Sequence, residues 1–253
     1  MSRVATVQSS TNRLGVGSVN PWRCCMRLVS SILEVSGIQV QRNLRFRLNQ
    51  LAKSGANFRV VWDVGAHIGE WSQAASRIRA FKGAEFVLFE ANAYHAPSLE
   101  KRAFPFHIAA LGSEPREAVF YSTAGTGDSL YRENTTHYAQ IEPRTVHLTT
   151  LDLLKREFRL KCPDFVKIDV QGAEKEIIEG GWESLQSIQA ALCEISVSNY
   201  NEGAPTLPVM FHLMEQLGLA PVDILERHFH NGALIQLDVL FARHHLLKFC
   251  SSP

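Results

Sequence analysis

Val40, Leu44, Leu48 and Leu51 recur at three- and four-residue spacing and predict a helix that stops near Ser54-Gly55. Residues 58–62 then read as a strand and 69–80 as a helix. A second strand over 85–89 precedes a helix over 97–102, and 104–109 reads as a third strand. Strands and helices in this alternation predict an α/β chain, with a mostly parallel sheet and helices on both of its faces.

Beyond Gly112 the pattern loosens. Residues 119–121 and 145–148 read as short strands around a polar loop, AGTGDSLYRENTTHYAQIEP. Residues 151–158 form a helix, 164–170 a buried strand, and GAEKEIIEGG a helix stopped by Gly180-Gly181. A strand over 188–196 and a helix over 208–217 follow. Residues 219–225 and 234–241 predict an antiparallel hairpin around a His-rich loop, 227–232, that contains Asn231-Gly232.

Composition narrows the class. A chain of 253 residues with 45% hydrophobic and 20% charged residues can bury a large core. A formal charge of +1 gives no electrostatic reason to expect nucleic acid or an anionic membrane as partner. No apolar run approaches the ~18 residues a membrane helix needs. The stretch MSRVATVQSSTNRLGVGSVNPW has Arg but no acid and no steady apolar period. Residues 1–36 therefore read as a flexible or partly helical extension, and 37–253 as the folded domain. Cys24, Cys25, Cys162, Cys193 and Cys250 form no C-x-x-C, which fits reduced thiols in a cytoplasmic setting better than a disulfide framework.

The chemistry concentrates in VVWDVGAHIGEW, residues 60–71. In an open parallel sheet, ligands sit beyond the carboxyl ends of the strands, where strand order reverses. Gly65 allows the sharp turn there, and Gly69 lets a helix begin close to a ligand. The pattern is Asp63-x-Gly65-x-His67-x-Gly69, unlike the G-x-G-x-x-G of a dinucleotide loop. A carboxylate repels a pyrophosphate but attracts an amino group or a sulfonium, so S-adenosylmethionine is the expected cofactor. Glu90 ends the second strand, where a carboxylate can accept both ribose hydroxyls, and Ala110 is small enough to lie against an adenine.

These blocks resemble the FkbM family of S-adenosylmethionine-dependent methyltransferases. The resemblance rests on DVGAHIGEWS (63–72), FEAN (89–92), AALG (109–112), GDSL (127–130), TTLDLL (149–154) and VKIDVQGAEKEIIEGG (166–181). It implies a class I methyltransferase fold, a Rossmann-like seven-stranded sheet with a reversed last strand. It also implies O-methylation of a hydroxyl on a sugar, polyketide or other metabolite, so that the partner is a small-molecule or glycan acceptor. The family commonly has Asn at position 67 and Glu at position 171, where this chain has His and Gln.

Asp169 is the first candidate for a catalytic base and equally a candidate for the methionine amino group; Glu194 is the other acid able to reach the acceptor. Asp128 and Ser129 are expected to close over the cofactor or to cap a turn, and Glu174 to favour a helix start. His228 and His230 share one side of a strand, but no companion acid motif accompanies them, so no metal ligand is assigned. A base from 228–230 is a further option. Two other readings compete: a nicotinamide-dependent oxidoreductase, disfavoured by Asp63 and His67, and a non-catalytic binding module, disfavoured by the intact Asp63, Gly65, Gly69, Glu90 and Asp169. Segments 122–143, 197–207 and 226–232 are expected to contact the acceptor.

Overall fold

Every residue of β1 (Val60–Val64) is buried, as a strand covered on both faces requires. Val60, Trp62 and Val64 pack with Phe89, Ile168, Ile177 and Met210, while Val61 packs on the opposite face with Leu44, Leu48, Phe81 and Phe165. The computed structural model describes residues 38–122, 128–132, 142–198 and 201–247, with side chains from Asn43 onward. The extension expected over 1–36 and parts of the expected acceptor segments lie outside the described residues.

Helices α1 (Ile38–Lys53), α2 (Glu70–Ala75) and α3 (Ala96–Glu100) cover the Val61 face. The small strands β2 (Glu85–Glu90), β3 (Phe106–Ile108), β4 (Ala110–Leu111), β5 (Arg116–Phe120) and β6 (Arg144–Thr149) lead to α4 (Leu151–Phe158) and β7 (Phe165–Ile168). Then come α5 (Glu174–Gly180), α6 (Trp182–Leu185), β8 (Ala190–Ser196), α7 (Leu207–Gln216), β9 (Leu219–His230) and β10 (Ala233–Arg243). Helices α4 to α7 cover the Trp62 face.

The main sheet has seven strands in the order β3-β2-β1-β7-β8-β10-β9. Pairing is parallel except along β10, which runs antiparallel to β8 and to β9. This is the class I methyltransferase sheet, with the last strand in the chain reversed and inserted one place from the edge. Strand order turns back between β1 and β7, so the ends of those two strands frame the crevice where a ligand belongs. A second sheet, β4-β6-β5, stands beside it and was expected only as two short strands.

Three elements differ from expectation. The first strand runs on through the acid, to Val64, because Asp63 is buried beside Lys167, its register partner on β7, rather than exposed at a turn. Helix α2 stops at Ala75 instead of continuing to 80. The hydroxyl of Ser76 donates to the carbonyl of Gln73 at 3.0 Å, and Ile78 then turns into the core in extended backbone. The His-rich segment 227–230 belongs to β9, and the hairpin closes through Asn231 and Gly232 alone. Both have positive φ, 49° and 79°, which is the left-handed pair a tight hairpin demands and Asn-Gly supplies.

Asp152 in α4 ties that helix to the start of α6. Its Oδ1 accepts from the Ser184 amide at 2.8 Å and from the Ser184 hydroxyl, and its Oδ2 accepts from the Glu183 amide at 3.0 Å. Asp152→Ala is expected to cost about 1–3 kcal/mol in urea unfolding with the slope of the transition unchanged.

Candidate functional site

The crevice is a cavity whose wall includes Gly65, His67, Glu90, His95, Ala110, Asp128, Ser129, Asp169, Gln171 and Glu194. The sequence-derived residues thus converge, with two exceptions. Asp63 and Gly69 do not line it. Asp63 is fully buried behind the wall: Oδ2 accepts from the Ser72 hydroxyl at 2.6 Å, and Oδ1 has no hydrogen bond among the described residues, with Lys167 Nζ at 3.6 Å. Burial pushes its proton affinity up, against the pull of Lys167. Gly69 instead caps α2, at the point where Leu88, Leu99 and Arg102 crowd the backbone.

Gly65 is fixed by a close approach. Its φ is +78°, and a Cβ there would lie 1.8 Å from the carbonyl oxygen of Asp169. The two strand-end turns, after β1 and after β7, cross at that point. No other residue fits.

Glu90 is the centre of the next group. It is 6% exposed; Oε2 accepts from the His67 amide at 2.7 Å and Oε1 from the Asn92 amide at 2.8 Å. Burial raises its pKa, opposed by those two amides. His67 reaches this position through a φ of 51°, in the left-handed region that His, like Asn and Asp, enters more readily than most non-glycine residues. Its ring meets that of His95 edge-on at 4.2 Å, and burial, followed by His95, holds its pKa below the ordinary value. His95 Nε2 is buried and makes no hydrogen bond among the described residues. Asp128 Oδ2 accepts from Asn92 Nδ2 at 2.6 Å and lies 3.7 Å from His95.

Ser129 is a fastener more than a cover. Its hydroxyl donates to the carbonyl of Gln171 at 2.6 Å and accepts from the Tyr131 amide at 2.8 Å. Asn201 Nδ2 donates to the same Gln171 carbonyl at 2.6 Å. Gln171 itself has a φ of 58°.

At the other end Asp169 and Glu194 face each other through Gln171. Gln171 Nε2 donates to Glu194 Oε2 at 2.6 Å and to Asp169 Oδ1 at 3.3 Å, and Gln236 Nε2 donates to Glu194 Oε2 at 2.9 Å. The Lys167 ammonium sits 3.0 Å from Asp169 Oδ2. Burial would raise Asp169, but that ammonium carries it below the ordinary carboxylate range. Glu194 moves the other way: burial, then the charges of Asp169 and Asp238, push it well up. Neighbouring acids thus part in proton affinity. Sequence reasoning missed Lys167, His95, Asn92 and Gln236. Only Asn92, in FEAN beside Glu90, carried a usable signal.

Fold and site together define an α/β domain with a crevice at the strand ends of β1, β2 and β7, lined by the buried acid Glu90. The chain belongs to the methyltransferase FkbM domain family, whose model matches residues 63–220. No curated protein matches the chain. Among solved structures it is similar to the methyltransferase FkbM from Methylobacillus flagellatus, at 12% identity over 72% of this chain and TM-score 0.43. The chain spans 44% of that protein's length. It is also similar to magnesium protoporphyrin IX methyltransferase of Synechocystis with bound SAM, at 12% identity, 90% of this chain, 86% of the other and TM-score 0.44. A third is the O-methyltransferase of Bacillus cereus in complex with SAH, at 11% identity, 91% and 94% coverage, and TM-score 0.45. Among the described residues no helix is long and apolar enough to cross a membrane.

Gly65→Ala is expected to destabilise the fold by about 3 kcal/mol or more, read as a lowered Tm, since strain and a backbone clash coincide. Glu174, at the start of α5, yields a pH test. It is 2% exposed, accepts from the Gly172 amide at 3.0 Å, and burial raises its pKa from 4.5 to about 7. Its neutral form therefore stabilises the fold below the unfolded value, and that contribution is lost as pH climbs from 4.5 to about 7. Glu174→Gln stays neutral, so its stability relative to the native chain should rise by about 1–3 kcal/mol between pH ~5 and pH ~8, measured as the difference in Tm.

Proposed function

We propose that this chain is a cytoplasmic S-adenosylmethionine-dependent methyltransferase. Its acceptor is a hydroxyl on a small molecule or glycan, such as a sugar, a polyketide or another metabolite. The observation that carries this reading is Glu90: a buried carboxylate at the end of β2, pinned by two backbone amides, with lone pairs left for a vicinal diol. His95 Nε2, in the same wall and without a hydrogen bond among the described residues, suits an adenine or ribose heteroatom, and Ala110 leaves room for a flat ring. S-adenosylmethionine supplies an activated methyl group; the protein's part is alignment and exclusion of water.

For Asp169 the electrostatics favour the binding role over the role of base. A carboxylate held anionic by Lys167 takes up a proton poorly but attracts an ammonium group strongly, which suits the amino end of the cofactor. Glu194 stands at the acceptor end and acts on the acceptor oxygen. Gln171 suits its place because an amide can donate to both acids, where a third carboxylate would repel them.

Calorimetry with S-adenosylmethionine, S-adenosylhomocysteine and NAD tests the core of this: the first two should bind and NAD should not, and NAD binding by itself would reject it. Glu90→Gln should weaken S-adenosylhomocysteine binding about tenfold or more. Asp169→Asn should chiefly raise the cofactor Kd. Glu194→Gln should lower turnover about a hundredfold with cofactor affinity unchanged.

A further inference from the structure

Beside the acceptor end of the cavity, three strands bring three ligand-type side chains to one point: Glu194 from β8, His228 from β9 and Asp238 from β10. His228 Nε2 lies 3.1 Å from Asp238 Oδ1 and 3.8 Å from Glu194 Oε1, and one such atom from each residue lies within 4.8 Å of the other two. Donor atoms bound about 2.1 Å from a shared ion stand about 3 to 4 Å apart.

Register makes the arrangement costly without a cation. Glu194 is the direct cross-strand partner of Asp238, and Asp238 the direct partner of Glu226. Three acidic side chains thus line up across neighbouring strands, where facing like charges destabilise and a shared proton or cation is favoured. One proton on His228 Nε2 can serve Asp238 but not Glu194 as well. Glu194 is 7% exposed, and its Oε1 accepts no hydrogen bond among the described residues, whereas Oε2 takes both Gln171 and Gln236. One oxygen is anchored and the other is aimed at the gap. Amides that fix a carboxylate through its second oxygen are what metal ligands commonly receive.

We propose that Glu194 Oε1, His228 Nε2 and Asp238 Oδ1 bind one divalent first-row transition ion of the Mn2+ or Zn2+ kind. One imidazole nitrogen and two carboxylate oxygens match that class better than Ca2+ or Mg2+, which prefer oxygen throughout. Three protein ligands leave a position open. Because Glu194 also lines the cavity, that position can take the acceptor's hydroxyl oxygen and make it a better nucleophile. This last role rests on the proposed function; the ion site does not. The companion acids of His228 are invisible in the sequence because the hairpin and β8, and no local motif, deliver them.

The test is calorimetric titration of the full, chelator-treated chain with MnCl2 and, separately, ZnCl2. The native chain should take up one ion, Asp238→Asn and His228→Gln should each weaken it tenfold or more, and His147→Gln, on an exposed His–acid pair, should not. Added Mn2+ should also raise the Tm of the native chain and not that of Glu194→Gln, which reads the site even if one variant fails to fold. No uptake by the native chain, or equal affinity in the Asp238 and His228 variants, overturns the proposal. S-adenosylhomocysteine binding is measured on the same preparations. Absence of ion uptake by the native chain with that binding intact sinks the ion site and spares the methyltransferase reading; ion uptake without S-adenosylhomocysteine binding does the opposite.

Discussion

A single buried ammonium organises the centre of this molecule. Lys167 on β7 stands 3.0 Å from Asp169 and 3.6 Å from Asp63, with the face of Trp71 5.8 Å away. Burial would discharge it, yet Asp169 and then Asp63 hold it firmly protonated. Removing one partner from such a group leaves an uncompensated charge in the interior, which is far costlier than never having buried it. The lysine therefore binds the strand that begins the fold to the strand where the chain returns beside it. It also sets the two acids apart: the nearer one, Asp169, lines the cavity, and the farther one, Asp63, is buried behind the wall and accepts from Ser72.

The same charge explains how one crevice end can hold acids of opposite tendency. Asp169 is lowered by a cation it touches, whereas Glu194, on the adjacent strand and held by amides, is raised by burial and by acids around it. Gln171 spans the two and keeps them apart electrostatically while joining them by hydrogen bonds.

Much of this could be read from the chain beforehand, for reasons that are local. Alternating strands and helices, the acid at the end of β2 and the glycine at the end of β1 are set by neighbours in sequence, and Glu90 and Gly65 occupy the places expected of them. Asp63 was misplaced because a strand-end acid normally reads as exposed; only the register of β1 against β7 supplies the lysine that lets it be buried. Lys167 itself, one cation in an apolar run, gives no local sign of its partners. Gln236, His228 and Asp238 reach Glu194 through antiparallel pairings of β10, and such long-range register is not written in any short motif. The length of α2 failed for a smaller cause, the serine that closes it early.

The carbonyl of Gln171 accepts from Ser129 on one side and from Asn201 on the other. Two stretches of chain far apart in sequence are thus moored to one peptide oxygen, in a turn whose left-handed backbone can shift only as a unit. A rotation of that peptide would cast off both moorings together, so Ser129 and Asn201 are coupled through a single oxygen.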